Sequence, residues 1–338
     1  MMALEKVEKF TTSEGRVVYG LPIEAFPNFI ANVYVVSDGE TRLLVDCGSP
    51  MPSCSEQLVA RFAEIGERYG EDIALGDLDK ILITHGHMDH FGGLPFVRRH
   101  TDAPIGIHVL DRRVVSHWEE RLVVAGKQLQ VYLERCGLSE NARTGLMQMY
   151  VGRKGFYESQ EVDFLISEDE EPSPGITATH VPGHCPGQVA LQVDDILLSA
   201  DHVLSRITPH QSPESITLNM GLGHYLDALD KSAKIEGVRL ALGGHEDPMK
   251  DLSGRVQEIK DSHDERLNHV LDYCRESPCS IADVSKQLFG GVGGYTVLLA
   301  LEEAGAHVEY LYNRGELVAA NVDELRDQEE PVIRYLAE

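Results

Sequence analysis

Cysteine pairs at metal-finger spacing are missing from this sequence. The six cysteines, Cys47, Cys54, Cys136, Cys185, Cys274 and Cys279, are scattered. That excludes a zinc finger, and we expect free thiols in a reducing compartment. Long apolar runs are missing too. Apolar runs such as residues 196 to 198 and 297 to 301 fall far short of the roughly 20 residues a membrane helix needs. The N-terminal residues Glu5, Lys6, Glu8 and Lys9 replace the basic and apolar regions of a secretory leader, so a cytoplasmic protein is expected. Cations are scarce: 30 Lys and Arg stand against 55 Asp and Glu, a net charge of −25. Such a field repels polyanions at long range, so nucleic acid and anionic membranes are poor partners.

What is present has the composition of a globular protein, 42% hydrophobic and 25% charged. The 338 residues imply one large domain and a smaller one. Residues 16 to 46 read as strands joined by tight turns, with Val33 to Val36 and Leu43 to Val45 as β-branched or aliphatic runs. Residues 55 to 70 repeat Leu58, Val59, Phe62 and Ile65 at helical spacing. Short strands follow at 80 to 84 and 105 to 109.

Residues 111 to about 160 then turn helical. Val114, Val115, Trp118, Leu122 and Val123 form one stripe, Leu129, Tyr132 and Leu133 a second, and Leu146, Met147, Met149 and Tyr150 a third. Strands resume at 176 to 180, 189 to 193 and 196 to 199. This is an α/β domain over residues 1 to 251 with a helical insertion. From 252 to 338 the pattern reads as three helices (252 to 275, 280 to 288, 294 to 304) and a strand–turn–strand at 311 to 318, a winged-helix-like domain.

The densest chemistry stands at Thr84-His85-Gly86-His87-Met88-Asp89-His90, straight after an apolar strand. Histidine suits a borderline-soft divalent ion such as Zn²⁺, and carboxylates can complete or bridge a second. Glycine lets the loop bend so that its ligands face different ways.

Here the chain resembles the metallo-β-lactamase superfamily, whose HxHxDH signature stands at His85, His87, Asp89 and His90. The later signature positions match His184 in a Pro-Gly-His-Cys-Pro-Gly loop, Asp201 at the end of a strand, and His245 in Gly-Gly-His. Asp46 matches the family's buried aspartate after an early strand. The resemblance spans residues 16 to 250 and implies an αββα sandwich holding two divalent ions, zinc above iron or manganese. One ion would take His85, His87, His184 and Asp201, the other Asp89, His90, Asp201 and His245. Two such ions roughly 3.5–4 Å apart lower the pKa of a bridging water towards neutrality. Asp89 would serve both as ligand and as the catalytic group orienting the nucleophile. Asp46 would hold a ligating histidine or shape the loop.

Departures from the pattern narrow the branch. Asp201 stands where true β-lactamases of the fold lack aspartate, and His87 where flavodiiron proteins carry glutamate. Leu204 stands where homoserine-lactone lactonases carry tyrosine. The segment after Asp201 does not match glyoxalase II. The chain is similar instead to the large YflN-type and lactamase-β-2-like metallohydrolases.

The expected function is metal-dependent hydrolysis of a small ester, thioester or lactone by a metal-bridging hydroxide. The competing expectation is a single-stranded RNA endonuclease of the lactamase-β-2-like type. Residues 258 to 338 carry 7 Lys or Arg against 17 Asp or Glu, the wrong sign for a nucleic-acid-binding wing. Packing or homodimerisation is the expected role of that domain. A mononuclear persulfide dioxygenase would need only part of the ligand set.

His202, His210 and His224 read as packing or loop histidines. Cys185 and Tyr225 read as core. The stripe of Trp118, Leu122, Met147 and Tyr150 reads as helix–helix core with part of it roofing an apolar substrate cleft.

Overall fold

The computed structural model describes residues 6–154, 157–168, 170–329 and 331–338, and the side chains of residues 153 and 154 are left aside. The expected insertion runs through residues 155 and 156, which lie outside this description.

Seven strands make the first sheet in chain order: β1 (Glu8–Thr11), β2 (Val17–Phe26), β3 (Phe29–Ser37), β4 (Arg42–Val45), β5 (Lys80–Leu82), β6 (Ile105–His108) and β7 (Phe164–Ile166). β1 to β4 pair antiparallel and β4 to β7 parallel. A second sheet of β8 (Ile176–His180), β9 (Val189–Val193), β10 (Ile196–Ala200) and β11 (Leu240–Gly243) has the order β11-β10-β9-β8.

Alternation along the strands decides what each face touches. Val18, Tyr34, Val36, Leu43 and Val45 face one way and pack with Ala178, Leu191, Ile196, Leu198 and Leu242 of the second sheet. The intervening Tyr19, Leu21, Val33, Val35 and Leu44 face the other way, against helix α1 (Pro52–Tyr69) through Leu58, Phe62 and Ile65. Each fully buried aliphatic side chain in these layers contributes roughly 1.5–3 kcal/mol. Pro52 opens α1 at a position that needs no amide hydrogen bond, and Gly70, at φ 73°, closes it.

The remaining helices are α2 (Met88–Phe91), α3 (Leu94–Val97), α4 (Arg112–Ser116), α5 (Trp118–Arg135), α6 (Glu140–Lys154), α7 (Leu222–Ser232), α8 (Leu252–Glu276), α9 (Ile281–Phe289), α10 (Thr296–Asn313) and α11 (Val322–Asp327). The chain forms two compact units. One comprises Met1–Trp118, Phe156–Pro209 and Ala228–Val256, and holds both sheets. The other comprises Glu119–Gly155, His210–Asp227 and Gln257–Glu338. No helix among the described residues is long and apolar enough to cross a membrane. All six cysteines are buried.

Three expectations change. Trp118 leaves the insertion's stripe: its ring meets Phe91 and Tyr157 edge-on, at 5.8 and 5.7 Å, in the core of the first unit. Val123 is 66% exposed, whereas Leu129, Tyr132 and Leu133 of the second stripe are buried. Helices α5 and α6 therefore pack as part of the second unit. There the Tyr132 hydroxyl donates to the Leu301 carbonyl at 2.6 Å, and the Ala282 amide donates to the Cys136 carbonyl at 2.8 Å.

The third change is the strand–turn–strand at 311 to 318. Leu311 is buried on the same helical stripe as Leu301, Ala304 and Val308, so α10 runs on to Asn313. Burial overrides the β preference of Tyr312 here. The turn falls at Gly315, φ 76°, and β12 (Leu317–Ala319) pairs with β13 (Tyr335–Ala337), far along the chain. The hairpin on which the winged-helix expectation rests does not form.

Candidate metal centre

The candidate side chains stand where strands end. Asp46 follows β4 with φ 62°, a left-handed conformation that aspartate tolerates better than most residues. Thr84 and the histidine loop follow β5. His87 precedes α2, one turn long, which carries Asp89 and His90. His184 lies between β8 and β9, and the Val189 amide donates to the Thr84 carbonyl at 2.9 Å, joining that strand to the root of the histidine loop. Asp201 follows β10 and His245 follows β11.

Two groups of four result: His85, His87, His184 and Asp201, and Asp89, His90, Asp201 and His245. In each, the candidate ligand atoms lie within 4.8 Å of one another. Asp201 is common to both. Its Oδ2 lies 3.2 Å from Nε2 of His245, 3.5 Å from His90, 3.6 Å from His184 and 3.8 Å from His85. Asp89 Oδ2 lies 3.3 Å from Nε2 of His245 and 3.4 Å from Nε2 of His90. His87 completes its group with its ring 4.4 Å from that of His184. Gly244 permits this closeness, because a Cβ there would stand 2.2 Å from Asp201 Oδ1 and 2.7 Å from His90 Cε1.

Hydrogen bonds behind the rings set their tautomers. Asp46 Oδ1 accepts from the Thr84 amide, and Oδ2 accepts from the Thr84 hydroxyl and from His90 Nδ1, each at 2.8 Å. A carboxylate only accepts, so the Thr84 hydroxyl spends its proton there and receives one from His85 Nδ1 at 3.0 Å. His245 Nδ1 donates to the Ile30 carbonyl at 2.6 Å, and the Phe29 ring packs 4.6 Å from the imidazole. In all three histidines the outer nitrogen is occupied and Nε2 faces inward.

The charges answer one another. Burial and the neighbouring His90 push His85 well below its ordinary range. Burial opposes charge on His90 too, yet the carboxylates of Asp201, Asp89 and Asp46 raise it well above the ordinary value. His245 is pushed up to about 10, because Asp201 and Asp89 outweigh its burial. Asp201 and Asp89 sit well below the carboxylate range, held there against burial by these histidines.

The residues fit divalent metal ions. Nε2 of His85 and His90 and Oδ1 of Asp201 are buried without a hydrogen-bond partner. Leaving such atoms unmade costs roughly 1–3 kcal/mol each. Imidazole nitrogens and carboxylate oxygens are also the donor set a borderline divalent cation takes.

Thr84 and the Ile30 carbonyl are not among the residues singled out from the sequence. A hydroxyl directly before the first histidine is a usable signal for Thr84, whereas a carbonyl from a distant hairpin leaves none. His202 is buried and burial holds it neutral, down to about 3, as a packing histidine would be. Cys185 and Tyr225 are buried. His210 Nε2 lies 3.1 Å from Glu302 Oε2, and His224 Nε2 lies 3.2 Å from Glu214 Oε1.

Comparison with known proteins agrees with this geometry. The family model described as the metallo-beta-lactamase superfamily matches residues 27–248. The probable metallo-hydrolase YflN of Bacillus subtilis is 27% identical over 194 residues, 56% of this chain, and the chain spans 64% of that relative's length. The beta-lactamase-like protein 2 homolog of Drosophila melanogaster is 20% identical over 96% of both chains. An atrochrysone carboxyl ACP thioesterase of Aspergillus fumigatus is 29% identical over 99 residues, 28% of this chain and 20% of the relative. Among solved structures, a metallo-beta-lactamase family protein from Thermus thermophilus aligns with a TM-score of 0.77 at 24% identity, over 95% of this chain and 98% of that one.

Proposed function

For a chain that belongs to the metallo-beta-lactamase superfamily, we propose hydrolysis of a small ester, thioester or lactone at a dinuclear centre, with zinc as the first choice of metal. The observation that carries this reading is the placement of Asp201 Oδ2 within 3.2–3.8 Å of four imidazole nitrogens drawn from both groups. When bound, two divalent ions supply a water ionised near neutral pH and a Lewis acid for the carbonyl oxygen under attack.

The chain's own residues do the rest. The Asp46 carboxylate, the Thr84 hydroxyl and the Ile30 carbonyl accept hydrogen bonds from Nδ1–H of His90, His85 and His245, which keeps one proton on each outer nitrogen and leaves Nε2 for a metal ion. Asp201 spans the two groups. Asp89 offers Oδ2 beside His90 and His245, and we assign its other oxygen to orient the attacking water. Asp89 is buried among ligands, so it holds that water in one orientation before the carbonyl arrives.

An acyl substrate is supported by the thioesterase among the relatives and by the chain's charge. A net −25 opposes a polyanion, and apolar Phe29 beside His245 suits an acyl group. The test loads the protein with zinc or manganese and screens thioesters, lactones, aryl esters and single-stranded RNA. Turnover of an acyl compound without RNA cleavage is the expected result. RNA cleavage alone would overturn the acyl assignment and favour the endonuclease.

A further inference from the structure

One carboxylate outside the two candidate groups reaches both ligand loops of a single group. Asp111 follows β6 and is almost fully buried, at 1% exposure. Its own amide donates to the His108 carbonyl at 3.0 Å, and its carbonyl receives the Val114 amide at 3.0 Å, so the turn after β6 and the start of α4 hold its backbone. Asp111 Oδ2 accepts from the Gly86 amide at 2.8 Å, and Oδ1 accepts from the Gly187 amide at 3.0 Å. Gly86 lies between His85 and His87. Gly187 lies three residues after His184.

Both approaches are close. A Cβ would stand 3.2 Å from Asp111 Cγ at Gly86 and 2.8 Å from it at Gly187. Glycine at both positions is what allows the backbone to lie against the carboxylate. The sequence has no motif around Asp111 that announces this, since the partners are amides from loops 25 and 76 residues away.

We propose that Asp111 is a positioning residue that clamps the His85–His87 loop to the His184 loop and so sets the separation of the three imidazoles in that group. The inference rests on the dinuclear reading. It concerns one group only, because neither bond reaches the residues carrying Asp89, His90 or His245. An ionised carboxylate suits the role. It accepts on both oxygens, and hydrogen bonds to a charged acceptor are shorter and stronger than neutral ones.

Asp111→Asn separates the clamp from mere volume. Its amide keeps one acceptor oxygen but turns an N–H donor towards the other backbone N–H, so it holds one loop and repels the second.

The test is a zinc titration of the full chain against a chromophoric chelator, with cobalt(II) absorption as a second readout of coordination. Wild type is expected to bind two equivalents. In Asp111→Ala one equivalent should weaken roughly 10–100-fold, the range seen when a hydrogen bond behind a metal ligand is lost, while the other stays as tight as before. Asp111→Asn should fall between the two, and the cobalt spectrum should change for the weakened ion alone.

Two wild-type equivalents that remain equally tight in both variants would overturn the role of Asp111, even if the metal-free melting temperature falls. Fewer than two equivalents in wild type would instead overturn the dinuclear reading. Should Asp111→Ala fail to fold, Asp111→Asn decides the question by the same titration.

Discussion

Asp46 Oδ2 accepts a hydrogen bond from His90 Nδ1 at 2.8 Å, while the same carboxylate accepts hydrogen bonds from the amide and hydroxyl of Thr84. One buried side chain thereby orients an imidazole and anchors the strand end from which the histidine loop departs. Asp46→Ala removes all three acceptor contacts and frees the His90 ring. Zinc competition should show at least one equivalent weakened by roughly 10–100-fold. Unchanged affinity for both equivalents would mean that packing alone holds His90.

Asp201→Ala takes a candidate ligand from both groups at once. Hydrolysis of whichever acyl substrate the screen identifies should fall far more than tenfold, a barrier increase well above about 1.4 kcal/mol. Metal content measured on the same sample should fall with it. A variant that keeps its metals and more than about a tenth of wild-type kcat contradicts the bridging role.

Gly244 is tested by one added methyl group. A Cβ there would press on Asp201 Oδ1 and His90 Cε1, and the nearby backbone has little room, since the Gly244 amide bonds the Ala200 carbonyl and the Asn32 amide bonds the Gly244 carbonyl. Gly244→Ala should keep a native circular-dichroism spectrum and lose metal affinity by at least roughly tenfold. Native affinity would show that the two ligand strands can spread without cost.

His210 offers a pH test that involves none of the candidate ligands. Burial disfavours its charge, but Glu302 and Glu303 on α10 face both ring nitrogens at 3.1 and 3.5 Å and push it up to about 9 from an ordinary 6.5. Arg266 on α8 pairs with the same Glu303, and Ser212 lies 3.3 Å from Nε2. Since the folded value is raised, the stabilisation is complete below pH 6.5 and is lost as pH rises through about 9. Chemical denaturation should find His210→Gln destabilised at pH 6 by on the order of 1–2 kcal/mol, a figure discounted for partial exposure. The gap to wild type should close by pH 10. A gap independent of pH would assign His210 a packing role only.

The legible parts of the chain share one property: their information is local. Alternation in β2, β3 and β4 and the 3.6-residue spacing of α1 each lie within a short window, and burial follows them. The HxHxDH segment is legible for the same reason, four candidate ligands in six residues. Leu311, Tyr312 and Asn313 mislead because a short segment running into a glycine turn is indistinguishable from the end of a helix until Leu311 is buried beside Val308. Trp118 misleads because spacing assigns a residue to a helical stripe without saying which core receives it. Here Phe91 and Tyr157 receive it.

Residue chemistry and local pattern suffice to read off the candidate ligand types, their order along the chain and the strand ends that carry them. That one oxygen of Asp201 stands among four imidazoles, that the Ile30 carbonyl and the Thr84 hydroxyl orient two of the rings, and that α5 and α6 belong with the C-terminal helices emerges in the folded chain alone. The reason is physical. Side-chain identity and periodicity are properties of neighbouring residues, whereas distances between strand ends, and the backbone amides and carbonyls that meet there, exist only once the sheets have paired and packed.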